Sequence, residues 1–444
     1  MQYWSPPTSL PSPPFFHIFS LSKLPFLSLL QKQNTSMEDE EEFSIQQEVL
    51  KVLQALKQAS QDLQTNPEPN SSESDSPIKA LLELETESNS LLSSDPNLSN
   101  LSHHLSDLKT LISSLQKSKL KHGFRSFLTR RVKTHEISRV AESIESEIQS
   151  WIDRETISNL TSELEKVSSL ESNLSSDEED ELVQKLGQFH FRLSQGFDIK
   201  IQDLLLKSRT FEKLEFLLCN VNMSKRVREK AGFALKEVVL FNKDVFVGQV
   251  LIGQTIRALV SMETLGSLEV LDSLIKAIRS PLVDVIESVG GISKVILYLN
   301  SEELELKIMA FDCVLEIGYF GRKEAVEAML NEGLIKKLVE LQRSKLGGDL
   351  IDLGQVHWEI EENQENEGVE VNKKRSYGEK RYIERHPFAS CVARFAVQLE
   401  IGEGLRQREK RAFKQEILKK IREASNSDAE AATIVAEVLW GSSP

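Results

Sequence analysis

The feature that most limits how this chain can fold is a spacing that returns about every 39–40 residues in its second half. Residues 227–239 read VREKAGFALKEVV, and 306–318, which begin 79 positions later, read LKIMAFDCVLEIG. In each, an aliphatic residue is followed four positions on by Ala, then by an aromatic and further aliphatic residues. Midway, the run VLDSLIKAI places Leu271, Leu274 and Ile278 at the same core steps. A fixed period of this length implies one helical unit stacked on copies of itself, because a single unit cannot bury its apolar face alone.

Two further echoes fix the unit. Leu315-Glu316-Ile317-Gly318 returns as Leu399-Glu400-Ile401-Gly402, with Phe311 matching Phe395. The run from Gly290-Gly291-Ile292 to Leu299 matches the run from Glu332-Gly333-Leu334 to Leu341. Glycine suits a sharp turn between helices because it tolerates positive φ without a steric penalty.

A helix ending in a Gly turn, a GGI-x-x-V-x-x-L helix and a third helix with V-x-x-x-A-x-x-x-L spacing together resemble the armadillo repeat, over about residues 208–440. The helical half before them resembles, in layout only, the N-terminal region of plant armadillo and U-box proteins. No U-box is present. The resemblance implies that the third helix of each repeat lines a concave groove. In the family's nuclear-import adapters that groove carries a Trp with an Asn four positions on. The Trp slots here fall on Phe233, Asp272, Asp312 and Ala396, and the Asn slots on Glu237, Lys276, Glu316 and Glu400. The four Trp residues (Trp4, Trp151, Trp358, Trp440) lie elsewhere, so the import-adapter role is not expected. Glu at three of the four Asn slots implies a groove that favours a Lys/Arg-rich partner segment or backbone N–H donors. Solvated surface charge is the plainer alternative.

The predicted class is all-α: an N-terminal helical bundle followed by a short armadillo-like α-solenoid with a long disordered insertion in its last repeat. The expected divisions are a leader at 1–42, the bundle at 43–208 with linkers near 64–77 and 90–100, repeats at 209–342, the insertion at 343–387, and the last repeat helix with its cap at 388–444. In the bundle, apolar steps of three and four predict helices at 43–63, 101–120, 124–152, 157–174 and 182–206. No segment alternates long enough to predict a sheet. The insertion runs from Gly347-Gly348 through a Glu/Asn-rich block to Lys373, Lys374, Arg375, Lys380, Arg381 and Arg385, with too few apolar residues to offset ordering. Its basic block is a candidate to fold back on the acidic groove.

Residues 1–36 contain six prolines and no acidic residue. They read as a disordered or mis-assigned leader, with Met37 a second candidate start, or as an organelle transit peptide or signal. The rest reads as cytoplasmic or nuclear. Three cysteines without a CxxC pair indicate a reducing compartment. A net charge of −14 argues against a nucleic-acid coat. Against that acidic background, Lys117, Lys119, Lys121, Arg125, Arg130, Arg131 and Lys133 form a basic stretch with no acid between Asp107 and Glu136. It is either a solvated face or a surface for anionic lipid or an acidic partner.

None of the eight histidines has a ligand partner at helical or loop spacing, and no phosphate-binding Gly motif occurs. Cys219 and Cys313 sit in apolar patterns and are expected to be buried. The sequence therefore predicts a non-catalytic scaffold for protein partners, without cofactor or metal. Two alternatives are an adapter in ubiquitin ligation and a membrane-surface signalling adapter.

Overall fold

The computed structural model describes residues 99–119, 124–169, 174–348 and 382–440, and a few positions between 53 and 61. The leader, the linker at 64–77, most of the first helix and most of the insertion lie outside the described residues. Among the described residues there are helices and no strands, and no helix is long and apolar enough to cross a membrane. The chain divides into two compact units, 1–148 and 149–444.

In the first unit, α1 (Ser99–Lys119) buries Leu101, Leu105, Leu108 and Ile112 along one face. The first half of α2 (Phe124–Ser169) does the same with Ile137, Ala141, Ile144 and Ile148. The 3.6-residue period puts each set on one stripe. Two separate helices were expected where α2 runs unbroken. Residues 153–156 are polar, yet they include no Gly or Pro to stop a helix.

The second unit opens on the end of α2. Asp153, only 3% exposed, accepts two 2.7 Å hydrogen bonds from Arg192 of α3 (Ser176–Ser194). Below that clamp, Ile157, Leu160, Leu164 and Val167 enter the apolar cluster that runs on through the repeats. Helix α3 starts at a capping box between Ser175 and Glu178. The single helix expected over 182–206 is broken after Ser194, because Gly196 takes φ +129° and Asp198 caps a new start.

From there the order repeats in threes: α4 (Ile199–Lys207), α5 (Thr210–Cys219) and α6 (Lys225–Phe241); α7 (Lys243–Ile252), α8 (Thr255–Ser261) and α9 (Leu265–Ile278); α10 (Ser280–Ser288), α11 (Gly291–Tyr298) and α12 (Leu304–Phe320); α13 (Lys323–Asn331), α14 (Leu334–Arg343) and α15 (Cys391–Ile401). Helices α16 (Gln407–Ala424) and α17 (Asp428–Trp440) close the stack. Third helices pack on third helices: α3 on α6, α6 on α9, α9 on α12 and α12 on α15. Second helices α5, α8 and α11 stack likewise. The ladder thus has a rung, α3, upstream of position 208. This three-helix unit and its stacking are those of an armadillo-like α-solenoid.

Turn chemistry follows the echoes. Gly290 and Gly333 hold left-handed φ values of 70° and 76° between first and second helices. In the first repeat the same position is Arg209, at φ 51°. Buried side chains bond between helices, within a repeat from Arg228 to the Leu218 carbonyl (2.8 Å) and from Cys391 to the Leu338 carbonyl (3.0 Å), and between repeats from Tyr298 to the Val260 carbonyl (2.5 Å). Cys313 is buried as expected, whereas Cys219 is half-buried.

Candidate interaction ladder on the third helices

The residues that sequence spacing picked out do lie on successive rungs. Their accessibility differs sharply. Glu237 is 9% exposed, Asp272 8% and Ala396 7%. Phe233, Asp312 and Glu316 are half-buried, and Lys276 and Glu400 are exposed. Ala396 has little surface to offer, and its neighbour Phe395 packs into the rung before it. A Cβ on Gly318 would stand 2.9 Å from the Phe395 ring.

These side chains pair with one another. Lys276 donates to Asp272 across one helical turn at 2.7 Å and reaches Glu316 of α12 at 3.7 Å. Burial lowers the affinity of the Lys276 amine for its proton, but Asp272, Glu316 and Asp312 outweigh it and hold the amine above its ordinary value. Burial pushes the Asp312 carboxyl up, with Arg394 opposing and Asp272 adding to the shift. Glu316 is likewise raised by burial, against the pull of Lys276. At the upstream end, Glu237 sits 3.0 Å from Lys236 and 3.7 Å from His190 of α3. The His190 ring meets Phe233 edge-on, and Lys230 and Lys236 lie over that ring. At the downstream end, Lys414 of α16 holds Glu400 at 2.9 Å.

The groove read as acidic is therefore a row of alternating charge, with at least one cation beside the carboxylates of each rung. Sequence reading missed three of the cations. Arg394 stacks its guanidinium 4.8 Å from the Phe311 ring centroid and takes the place beside Asp312. It is the only charged residue between Cys391 and Leu399, a signal that could have flagged it. Lys236 adjoins Glu237 in sequence, whereas Lys414 comes from a helix assigned to the cap. His190 was overlooked because α3 was not read as a rung.

Of the basic stretch, Arg131 is exposed and Lys133 donates to the Ser114 carbonyl at 3.2 Å. The side chains of Lys117, Lys119, Lys121, Arg125 and Arg130 lie outside the described residues. Among the described residues no group of His, Cys, Asp and Glu is placed to hold a metal ion. A concavity between α16 and α17, lined by Arg422, Val435, Ala436, Leu439 and Trp440 among others, lies away from the ladder.

No family model matches the chain, and no curated protein matches it. Among solved structures it is similar to a designed armadillo repeat protein in complex with peptide (KR)4, at 15% identity and a TM-score of 0.36, covering 63% of this chain and 99% of that one. A second designed armadillo repeat protein matches at 14% identity and a TM-score of 0.37, over 63% of this chain and 98% of the other. The karyopherin Kap121p, bound to the SUMO protease Ulp1p, matches at 13% identity and a TM-score of 0.33, over 82% of this chain and 36% of its own. These scores carry no argument about function. The armadillo-like assignment stands on the helix order and rung packing described above.

Proposed function

We propose that the chain is a non-catalytic scaffold that binds a partner polypeptide along its third-helix ladder. The observation that supports this most is the row itself: Lys276, Asp312, Glu316 and Glu400 stand on successive rungs, on a stripe that the core does not consume. A ligand able to use such a row must be long and carry polar groups at regular intervals, as an extended polypeptide does. Half-buried carboxylates with raised proton affinity favour N–H donors, so a segment with Lys or Arg fits the α9–α12 part of the row. The cations already present make the fit selective: a partner must replace Lys276 or sit beside it, and a uniformly basic segment meets Lys276 and Arg394 in its path.

Proximity labelling with the full-length protein tests this. A Glu316→Lys/Glu400→Lys variant should change the set of labelled proteins. A Lys294→Glu/Lys336→Glu variant, on exposed positions of the second helices α11 and α14, should leave it unchanged. The ladder is not the binding surface if the second variant alone alters the set.

A further inference from the structure

We propose that the closing segment 382–440 is docked on α12 and α14, with a buried polar clamp to α14, so that the covalent link through 349–381 is dispensable once the solenoid has folded. The chain leaves the described part at Gly348 and re-enters at Tyr382, and the two ends are held together. A Cβ on Gly348 would lie 2.7 Å from the Tyr382 hydroxyl. The Phe388 N–H donates to the Leu346 carbonyl at 3.1 Å, and the Ser390 N–H to the Gly348 carbonyl at 2.9 Å. This short backbone ladder staples the base of the excursion.

Beneath the staple sits Glu437 of α17, 1% exposed. Its carboxylate accepts from Gln342 Nε2 at 2.8 Å and from the Ser390 hydroxyl. Gln342 is 4% exposed and Ser390 is fully buried. The same Gln342 uses its Oε1 to accept from the Val392 N–H at 3.5 Å. One buried carboxylate on the last helix thus ties the residue before the excursion to the residue after it. Outside the clamp, Arg343 makes a bidentate pair with Glu430, at 2.7 and 2.9 Å. Phe388, Val392, Phe395, Ile417, Ile421 and Val438 supply the apolar part of the dock. Sequence separation across these contacts reaches 95 residues, so none depends on local chain geometry. Ser390 keeps a left-handed backbone at φ 43°, an unfavourable conformation that the surrounding contacts must hold in place.

The test inserts a recognition sequence for a site-specific protease after Gly368 of the full chain and cuts it after folding. The two fragments should co-elute on size exclusion and melt in one transition, separating only in denaturant. Fragments that part under native conditions would overturn the proposal. A second arm assigns the hold to the clamp. Glu437→Gln and Gln342→Leu should leave the uncut chain helical but weaken association of the cut fragments by ~10-fold or more, the effect of a buried polar group losing its charged or amide partner across the cut. Unchanged association would show that the clamp does not carry the dock. If Glu437→Gln prevents the uncut chain from folding, Gln342→Leu, which removes the donor that crosses the cut and leaves the carboxylate with its Ser390 partner, decides the second arm alone.

Discussion

The same four residues, Leu-Glu-Ile-Gly, occur twice towards the end of a third helix in this molecule and meet two different fates. At 315–318 the tetrapeptide lies inside α12. Ile317 is 1% exposed, and Gly318 lets the Phe395 ring approach. At 399–402 the helix stops at Ile401, which is 59% exposed, and Gly402 becomes the cap residue. A Cβ on Gly402 would stand 2.3 Å from the Tyr319 carbonyl, so this glycine serves the close approach of two turns. Local sequence sets helical propensity. Whether another rung follows decides what each side chain touches.

The sharpest way to break that comparison is to cut both isoleucines back. Ile317→Ala should cost ~2–5 kcal/mol, as a core truncation does. Ile401→Ala should stay within ~0.5 kcal/mol, as exposed positions do. Urea unfolding midpoints for the two variants measure the difference, and equal losses would mean that the rungs are not stacked as described.

Gly318→Ala comes next. The added methyl meets the Phe395 ring, and the overpacking should cost ~1–3 kcal/mol, less what alanine returns in helix propensity. Combining it with Phe395→Leu should recover part of the loss, because the colliding ring is gone. Additive losses would place the two residues apart.

A gain is expected at Arg209. It holds the left-handed turn position that Gly290 and Gly333 fill in later repeats. Arg209→Gly should raise stability by about 0.5–1 kcal/mol, the strain relieved exceeding the entropy that glycine adds. Thermal unfolding checks the sign.

The smallest expected effect separates the ladder's charges by pH. Burial raises the Glu316 carboxyl above its ordinary value. In the window between the unfolded and folded values the native state holds more protons, so this group's contribution to stability falls as pH rises through that window. Glu316→Gln should therefore be slightly more stable than the parent at neutral pH, and the gain should vanish once the pH drops below the ordinary glutamate range. A gain that grows on acidification would contradict the assignment.

Much of the fold was legible because the signal that makes a solenoid, apolar residues returning at one period, is written in the sequence itself. The αL turns at Gly290 and Gly333 could be read from residue type. The unbroken α2 and the break after Ser194 could not be placed by hydrophobic spacing, since a polar run such as 153–156 continues a helix and Gly196 ends one. Of the ladder, the rungs from α6 onward were legible, whereas α3 and the charge balance were not. Lys276 meeting Glu316, Arg394 beside Asp312 and Lys414 holding Glu400 are contacts between helices. They depend on how neighbouring rungs are rotated, which no single helix encodes.

The most direct test of the ladder as the binding surface places a photocrosslinking amino acid at Lys276 in one version of the full chain and at Lys294 in another. Position 276 should capture a discrete partner whose crosslink is lost in the Glu316→Lys/Glu400→Lys background, while position 294 should not capture it. The same partner captured at 294, or a crosslink at 276 indifferent to the charge reversal, would contradict the account.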